Sequence, residues 1–189
     1  NEKVKVLRSL RRFSRVDATE KSVRGQYTPG VVTGKEAAGY ESERFDLVTM
    51  MEYLEHEPDP RSVLEEARRI LKPGGSLALE IPHPTGWPAR LFRNNWWNLH
   101  VPRHLVLFSP QTVERALKEL GFEDIQIHPF TYPYNMGTNI YQALGFPYRS
   151  KFHYLFVALS TILGAPFQLF ARWMPEFLFV TARVPGTAG

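Results

Sequence analysis

The sequence predicts an α/β fold organised on a parallel pair of strands, and three stretches between Phe45 and Ile81 carry that prediction. Phe45-Asp46-Leu47-Val48-Thr49-Met50 is a short run of apolar and β-branched residues, the pattern of a strand covered on both faces. Val63, Leu64, Ala67, Ile70 and Leu71 then recur at helical spacing and make one apolar face. Leu77-Ala78-Leu79-Glu80-Ile81 reads as the next strand. A strand, a crossover helix and a strand joined by short turns form a right-handed unit of a parallel sheet.

Each element has its own start and stop. Asp59 is suited to cap the helix, with Pro60 at its first position. Lys72-Pro73-Gly74-Gly75 is expected to end it, because Pro cannot continue a helix and Gly can take a left-handed turn. A second helix is expected from Ser109-Pro110, with Val113, Ala116, Leu117 and Leu120 on its apolar face and Gly121 as its stop. Strands are expected at Phe122–Ile127 and Phe177–Val184. The strand at 46–50 should lie exposed at a sheet edge.

Ligands of parallel sheets bind beyond the carboxyl ends of the strands. Those ends are Met50-Met51-Glu52 and Ile81-Pro82-His83. If the turn after the first strand is helical, Glu52, Glu55 and His56 fall at i, i+3 and i+4 on one face. Two carboxylates and an imidazole converging there could hold a divalent cation. The other reading has His56 hydrogen-bonding the turn and Leu54 filling the core. Further on, Asn94 to His104 gathers Trp96, Trp97, His100, Arg103 and His104 in one connection. Long connections often carry function, and Trp rings offer flat faces to a ligand. His104 is the first candidate for taking a proton from, or orienting, an acceptor group, with His100 behind it. Alternatively Arg103 and His104 lock the loop onto the protein by hydrogen bonds.

Bulk composition narrows the classes. The chain has 189 residues, enough for one ordinary domain. Its 23 Lys and Arg against 19 Asp and Glu give a net charge of +4, interspersed rather than clustered, which argues for solvated surface and against a nucleic-acid partner. With no cysteine, disulfide and thiolate chemistry are excluded. Asn1-Glu2-Lys3-Val4-Lys5 lacks the apolar core of a signal peptide, which points to a cytoplasmic protein, and the absent initiator Met suggests a fragment. No charged residue occurs from Phe152 to Ala171, yet Gly164-Ala165-Pro166 interrupts the run. Two short helices burying the sheet are expected rather than a membrane span. Lys151 and Arg172-Trp173 flank the run as interfacial anchors would, so the second reading is a greasy lid in peripheral contact with a membrane through 152–173.

FDLVTMMEYLEH, the DP-led helix, LKPGG and WWNLHVPRHLVLFSPQTVERALKELGF together resemble a class I S-adenosylmethionine-dependent methyltransferase from its fourth strand onward, over about Arg44 to Val184. The resemblance implies an incomplete Rossmann-like methyltransferase sheet, later strands only, with a helical insertion at about 140–173 and a last strand inserted antiparallel beside the strand at 77–81. It implies S-adenosylmethionine as cofactor, bound near Met50, Met51 and Glu52, where an unbranched Met can pack on an adenine face. In ubiquinone-biosynthesis O-methyltransferases the acid-x-x-acid-His pattern, here Glu52, Glu55 and His56, is associated with magnesium. The family's glycine-rich loop does not appear ahead of Arg44. Residues 1–43 are similar instead to glucose-6-phosphate dehydrogenase, through EKVKVLRSL, Val23-Arg24-Gly25-Gln26-Tyr27, Pro29-Gly30 and Gly39-Tyr40, without that family's catalytic His and Lys. This first segment is expected to form a helix at 3–10 and otherwise to pack poorly. The activity expected of the complete enzyme is methyl transfer to an oxygen, ahead of a nitrogen or carbon, of a small acceptor, lipophilic if the apolar run is a lid; this chain, as a truncated piece, is expected to be inactive alone. The competing readings are a chimeric gene product or interaction module without catalysis, and a dehydrogenase fragment.

Overall fold

The computed structural model describes residues 18–19, 31–32, 40–132, 134–146, 151–163 and 174–186. The first helix expected at 3–10 and the break at Gly164-Ala165-Pro166 lie outside them. Two short strands, β1 (Ala18–Thr19) and β2 (Val31–Val32), pair in parallel as a sheet of their own.

The larger sheet has four strands. β3 (Phe45–Met51) runs parallel to β4 (Leu71–Pro82), and helix α1 (Pro60–Ile70) crosses between them. The Asp59 carboxylate accepts the Ser62 N–H at 3.2 Å, so the expected cap forms. The expected stop does not. α1 ends at Ile70 with Leu71 already extended, and Lys72-Pro73-Gly74-Gly75 belongs to β4. There it loops out of register: Phe45 pairs with Leu71 and Leu47 with Ser76, leaving Asp46 alone opposite the four residues Lys72 to Gly75. Lys72 Nζ reaches the Asp46 carboxylate at 2.9 Å across this bulge. Gly75 is needed because a Cβ there would sit 2.8 Å from the Lys72 carbonyl oxygen.

Helices α2 (Trp87–Phe92) and α3 (Pro110–Glu119) follow, then β5 (Glu123–Phe130), α4 (Asn135–Ala143), α5 (Lys151–Leu163) and β6 (Phe177–Arg183). The strand order is β3-β4-β6-β5, with β6 antiparallel to both neighbours. β3 lies at the sheet edge, as expected, and the last strand inserts beside β4. The Ser109 hydroxyl caps α3 through the Thr112 N–H at 3.2 Å, and Gly121, at φ 75°, follows the helix end. One core cluster joins α1 and α3 to the sheet through Leu64, Ala67, Val113, Leu117, Leu79 and Val180.

The helical insertion begins earlier than expected, at Asn135. α4 and α5 pack closely, for a Cβ on Gly137 would meet the Ser160 hydroxyl. His153 lies against Tyr141 at 4.9 Å between ring centres. The opposite side of α5 is not a cover buried on the sheet. Phe152, Leu155, Leu159 and Ile162 form a stripe along it and are 48–77% exposed. Among the described residues, no helix is long and apolar enough to cross a membrane.

Candidate functional site

β3 ends at Met51, and the chain turns sharply there. Glu52 takes φ 50°, its N–H donates to the Glu80 carbonyl at 2.8 Å, and a single 3₁₀ turn, Leu54–His56, follows. Helical i, i+3, i+4 spacing therefore does not extend back to Glu52. Its side chain is exposed, whereas Glu55 is fully buried. Met50 is half-buried against the core, and Met51 pairs with Glu80 at the strand end.

The aromatic loop folds back onto this turn. Leu105 and Val106 donate their N–H groups to the Glu55 carbonyl at 2.8 and 3.3 Å. That clasp brings His104 to Glu55, with Nε2 4.0 Å from Oε1. His56 joins them: one ligand atom from each of Glu55, His56 and His104 lies within 4.8 Å of the others. The grouping differs from the expected Glu52, Glu55 and His56, because His104 stands where Glu52 was expected. The Nδ1 of His56 donates to the Arg103 carbonyl at 2.8 Å, and that of His104 to the Asn98 carbonyl at 2.7 Å. Each ring is thus held in the tautomer whose Nε2 keeps its lone pair. Arg103 serves through its backbone, and its side chain points to solvent. His100, in left-handed backbone at φ 41°, sits between Trp97, tilted against it at 5.2 Å between centroids, and His104, edge to face at 5.0 Å.

Burial dominates the electrostatics. It pushes the Glu55 carboxyl up to about 8, and the neighbouring Glu52 and Glu80 charges push the same way. Among the described residues no other residue donates to either Glu55 oxygen, and its own backbone N–H pulls the carboxyl partly back down. Burial also pulls His104 down to about 4, against the opposing pull of the Asn98 carbonyl. Burial and the Arg103 charge lower His100 as well. Near neutral pH this leaves a carboxylic acid at Glu55 beside a neutral His104 ring. A buried carboxyl that no other described residue donates to, grouped with two imidazoles whose Nδ1 atoms are engaged elsewhere, fits a cation.

Two acids that the sequence reading left out also stand near the strand ends. Glu80 is buried in β4 and accepts the Tyr132 hydroxyl at 2.7 Å. Glu176, just ahead of β6, is buried and accepts from the Trp96 indole at 3.0 Å and from the Asn139 amide. For Glu80 the signal was present, a lone acid inside an apolar strand. For Glu176 it was not, because its partners lie far away in the chain.

A sheet ordered β3-β4-β6-β5 with an antiparallel third member, and a buried polar cluster beyond its parallel strand ends, set the frame for comparison. The model of the methyltransferase domain family matches residues 6–127, and the chain belongs to that family. The match crosses the junction expected near 41–44. A ubiquinone biosynthesis O-methyltransferase from Salmonella arizonae is 38% identical over 138 residues, covering 67% of this chain and 56% of the relative. The enzyme of the same name from Vibrio atlanticus is 25% identical over 144 residues, covering 67% and 57%. The chain thus spans a little over half the length of these relatives. A SAM-dependent methyltransferase from Archaeoglobus fulgidus superposes with a TM-score of 0.52 at 17% identity, over 85% of this chain and 69% of that one. A second, from Thermotoga maritima, gives 0.51 at 18% identity over 82% and 64%. These two likenesses support the Rossmann-like fold.

Proposed function

We propose that this chain carries the acceptor-side half of an S-adenosylmethionine-dependent O-methyltransferase. In this reading Glu55, His56 and His104 hold a divalent cation beside the acceptor hydroxyl. The observation that carries the reading is the convergence of a buried carboxyl, to which no other described residue donates, with two imidazoles whose Nδ1 atoms are already engaged. Two nitrogens and one carboxylate suit zinc, manganese or iron better than magnesium, which prefers an all-oxygen shell. When bound, the cation would lower the pKa of a phenolic hydroxyl and so supply a better nucleophile.

The chain's own residues do the rest. The Asn98 and Arg103 carbonyls orient His104 and His56. Trp97 and His100 give the acceptor a flat wall. Met50, Met51 and Glu52, at the end of β3, support a place for the methyl donor there. Methyl transfer is a direct displacement, in which alignment of oxygen, methyl and sulfur supplies most of the catalysis. The relatives' shared name supports a phenolic or catecholic acceptor. The exposed apolar stripe of α5 supports a lipophilic acceptor delivered at a membrane surface.

The test is transfer of labelled methyl from S-adenosylmethionine to catechol, with a chelator and after adding Mn²⁺ or Zn²⁺. Transfer should vanish with the chelator, return with the metal, and fall together in Glu55→Gln and His104→Gln. Transfer that persists in chelator and drops on the order of 10²–10⁴-fold only in His104→Gln would make His104 a general base and end the cation reading.

A further inference from the structure

We propose that Glu176 is a positioning residue for His104, acting from the opposite side of the aromatic loop. The proposal rests on the role given to His104 above. Glu176 is 1% exposed, and its backbone is fixed by the sheet: its N–H donates to the Phe130 carbonyl at 2.9 Å, and its carbonyl accepts from the His83 N–H at 2.8 Å. From that fixed point one carboxylate oxygen, Oε1, accepts both the Trp96 indole N–H and the Asn139 amide. Asn139 is fully buried on α4, and its own oxygen accepts the Trp97 N–H at 2.7 Å. Glu176 thereby holds two consecutive residues, Trp96 by its side chain and Trp97 by its backbone.

The residue after them is the one that matters. The Asn98 carbonyl accepts the Nδ1–H of His104 at 2.7 Å, and this bond decides which ring nitrogen faces Glu55. Trp97 also lies tilted against His100, whose ring meets His104 edge to face. Among the described residues, this buried acid has no ion-pair partner of opposite charge. Its hydrogen bonds run to Trp96 of the loop, to Asn135 and Asn139 of α4 and to Thr131 just after β5, so they tie the loop to its surroundings rather than form an ion pair. Removing them frees the turn Trp97–Leu99 and with it the carbonyl that sets the His104 tautomer.

The experiment reads the histidine ring nitrogens by two-dimensional ¹H–¹⁵N NMR on the ¹⁵N-labelled chain in chelator, without turnover or metal. In the wild type His104 should be a single Nδ1–H tautomer. Glu176→Gln keeps the Oε1 acceptor and should keep that tautomer. Glu176→Leu removes it and should give a mixture of the two tautomers, with His128, on β5, unchanged as a control. If Glu176→Leu does not fold, Trp96→Phe and Asn139→Leu each remove part of the same connection and should each admit the second tautomer. A folded Glu176→Leu chain, or a folded pair of single variants, in which His104 stays wholly Nδ1–H would overturn the proposal. So would a wild type in which His104 carries its proton on Nε2. Loss of the cation reading in the transfer assay would leave this ring measurement standing, so the two can fail separately.

Discussion

At the scale of single residues, the decisive feature is an acid kept neutral. Glu55 is fully buried, no other described residue donates to its oxygens, and burial pushes its carboxyl up to about 8. A folded-state pKa raised above the unfolded one contributes stability that is complete below about pH 4 and is lost as pH rises through 8. His104 has the opposite sign: its contribution is lost as pH falls from 6.5 through 4, so the two slopes oppose each other below 6.5. Above pH 6.5 the Glu55 slope stands alone of the two. In chelator, urea midpoints should therefore fall between pH 6.5 and 8 for the wild type, by about 1.4 kcal/mol per pH unit at most. Glu55→Gln should flatten that decline, and an equally steep decline in the variant would show that another group causes it. The residue roles were half legible. Glu55, His56, His100 and His104 could be named from their chemistry. Their grouping could not, because it depends on a clasp between the Glu55 carbonyl and Leu105, fifty positions apart in the chain.

Among the elements, those with local signals were read most fully. α1 and α3 are fixed by an acid or hydroxyl cap, a proline at the first position and a helical apolar face, all visible in sequence. Lys72-Pro73-Gly74-Gly75 looks like a helix stop in isolation, yet strand pairing claims it as a bulge. The apolar run from Phe152 was ambiguous for a physical reason: apolar residues surround the helix, so periodicity could not say which side faces water. The structure puts His153 and Ser160 inward and Phe152, Leu155 and Ile162 outward. If that stripe meets lipid, the chain should co-sediment with neutral phosphatidylcholine vesicles, and Phe152→Glu with Ile162→Glu should abolish co-sedimentation without lowering the melting temperature. Equal sedimentation of the double variant would remove the membrane reading.

At the scale of the whole molecule, the edge position of β3, the parallel β3–β4 pair and the antiparallel β6 together give the sheet that the resemblance led us to expect. The family match nevertheless begins at residue 6, so composition and turn signals in the first segment suggested a sharper break than the comparison draws. What unites the molecule is the return of the loop at 96–104 onto the turn at 54–56, which brings Glu55, His56 and His104 together at the strand ends, the place proposed for a cation. Cobalt(II) tests this most directly, because its visible absorption reports nitrogen and oxygen ligands in a low-coordinate site. Titration of the metal-free chain should give one equivalent of absorbing Co²⁺. That band should be lost in Glu55→Gln, His56→Gln and His104→Gln, and retained in Glu52→Gln. No band in the wild type, or a band that needs Glu52 and survives loss of His104, would contradict the account.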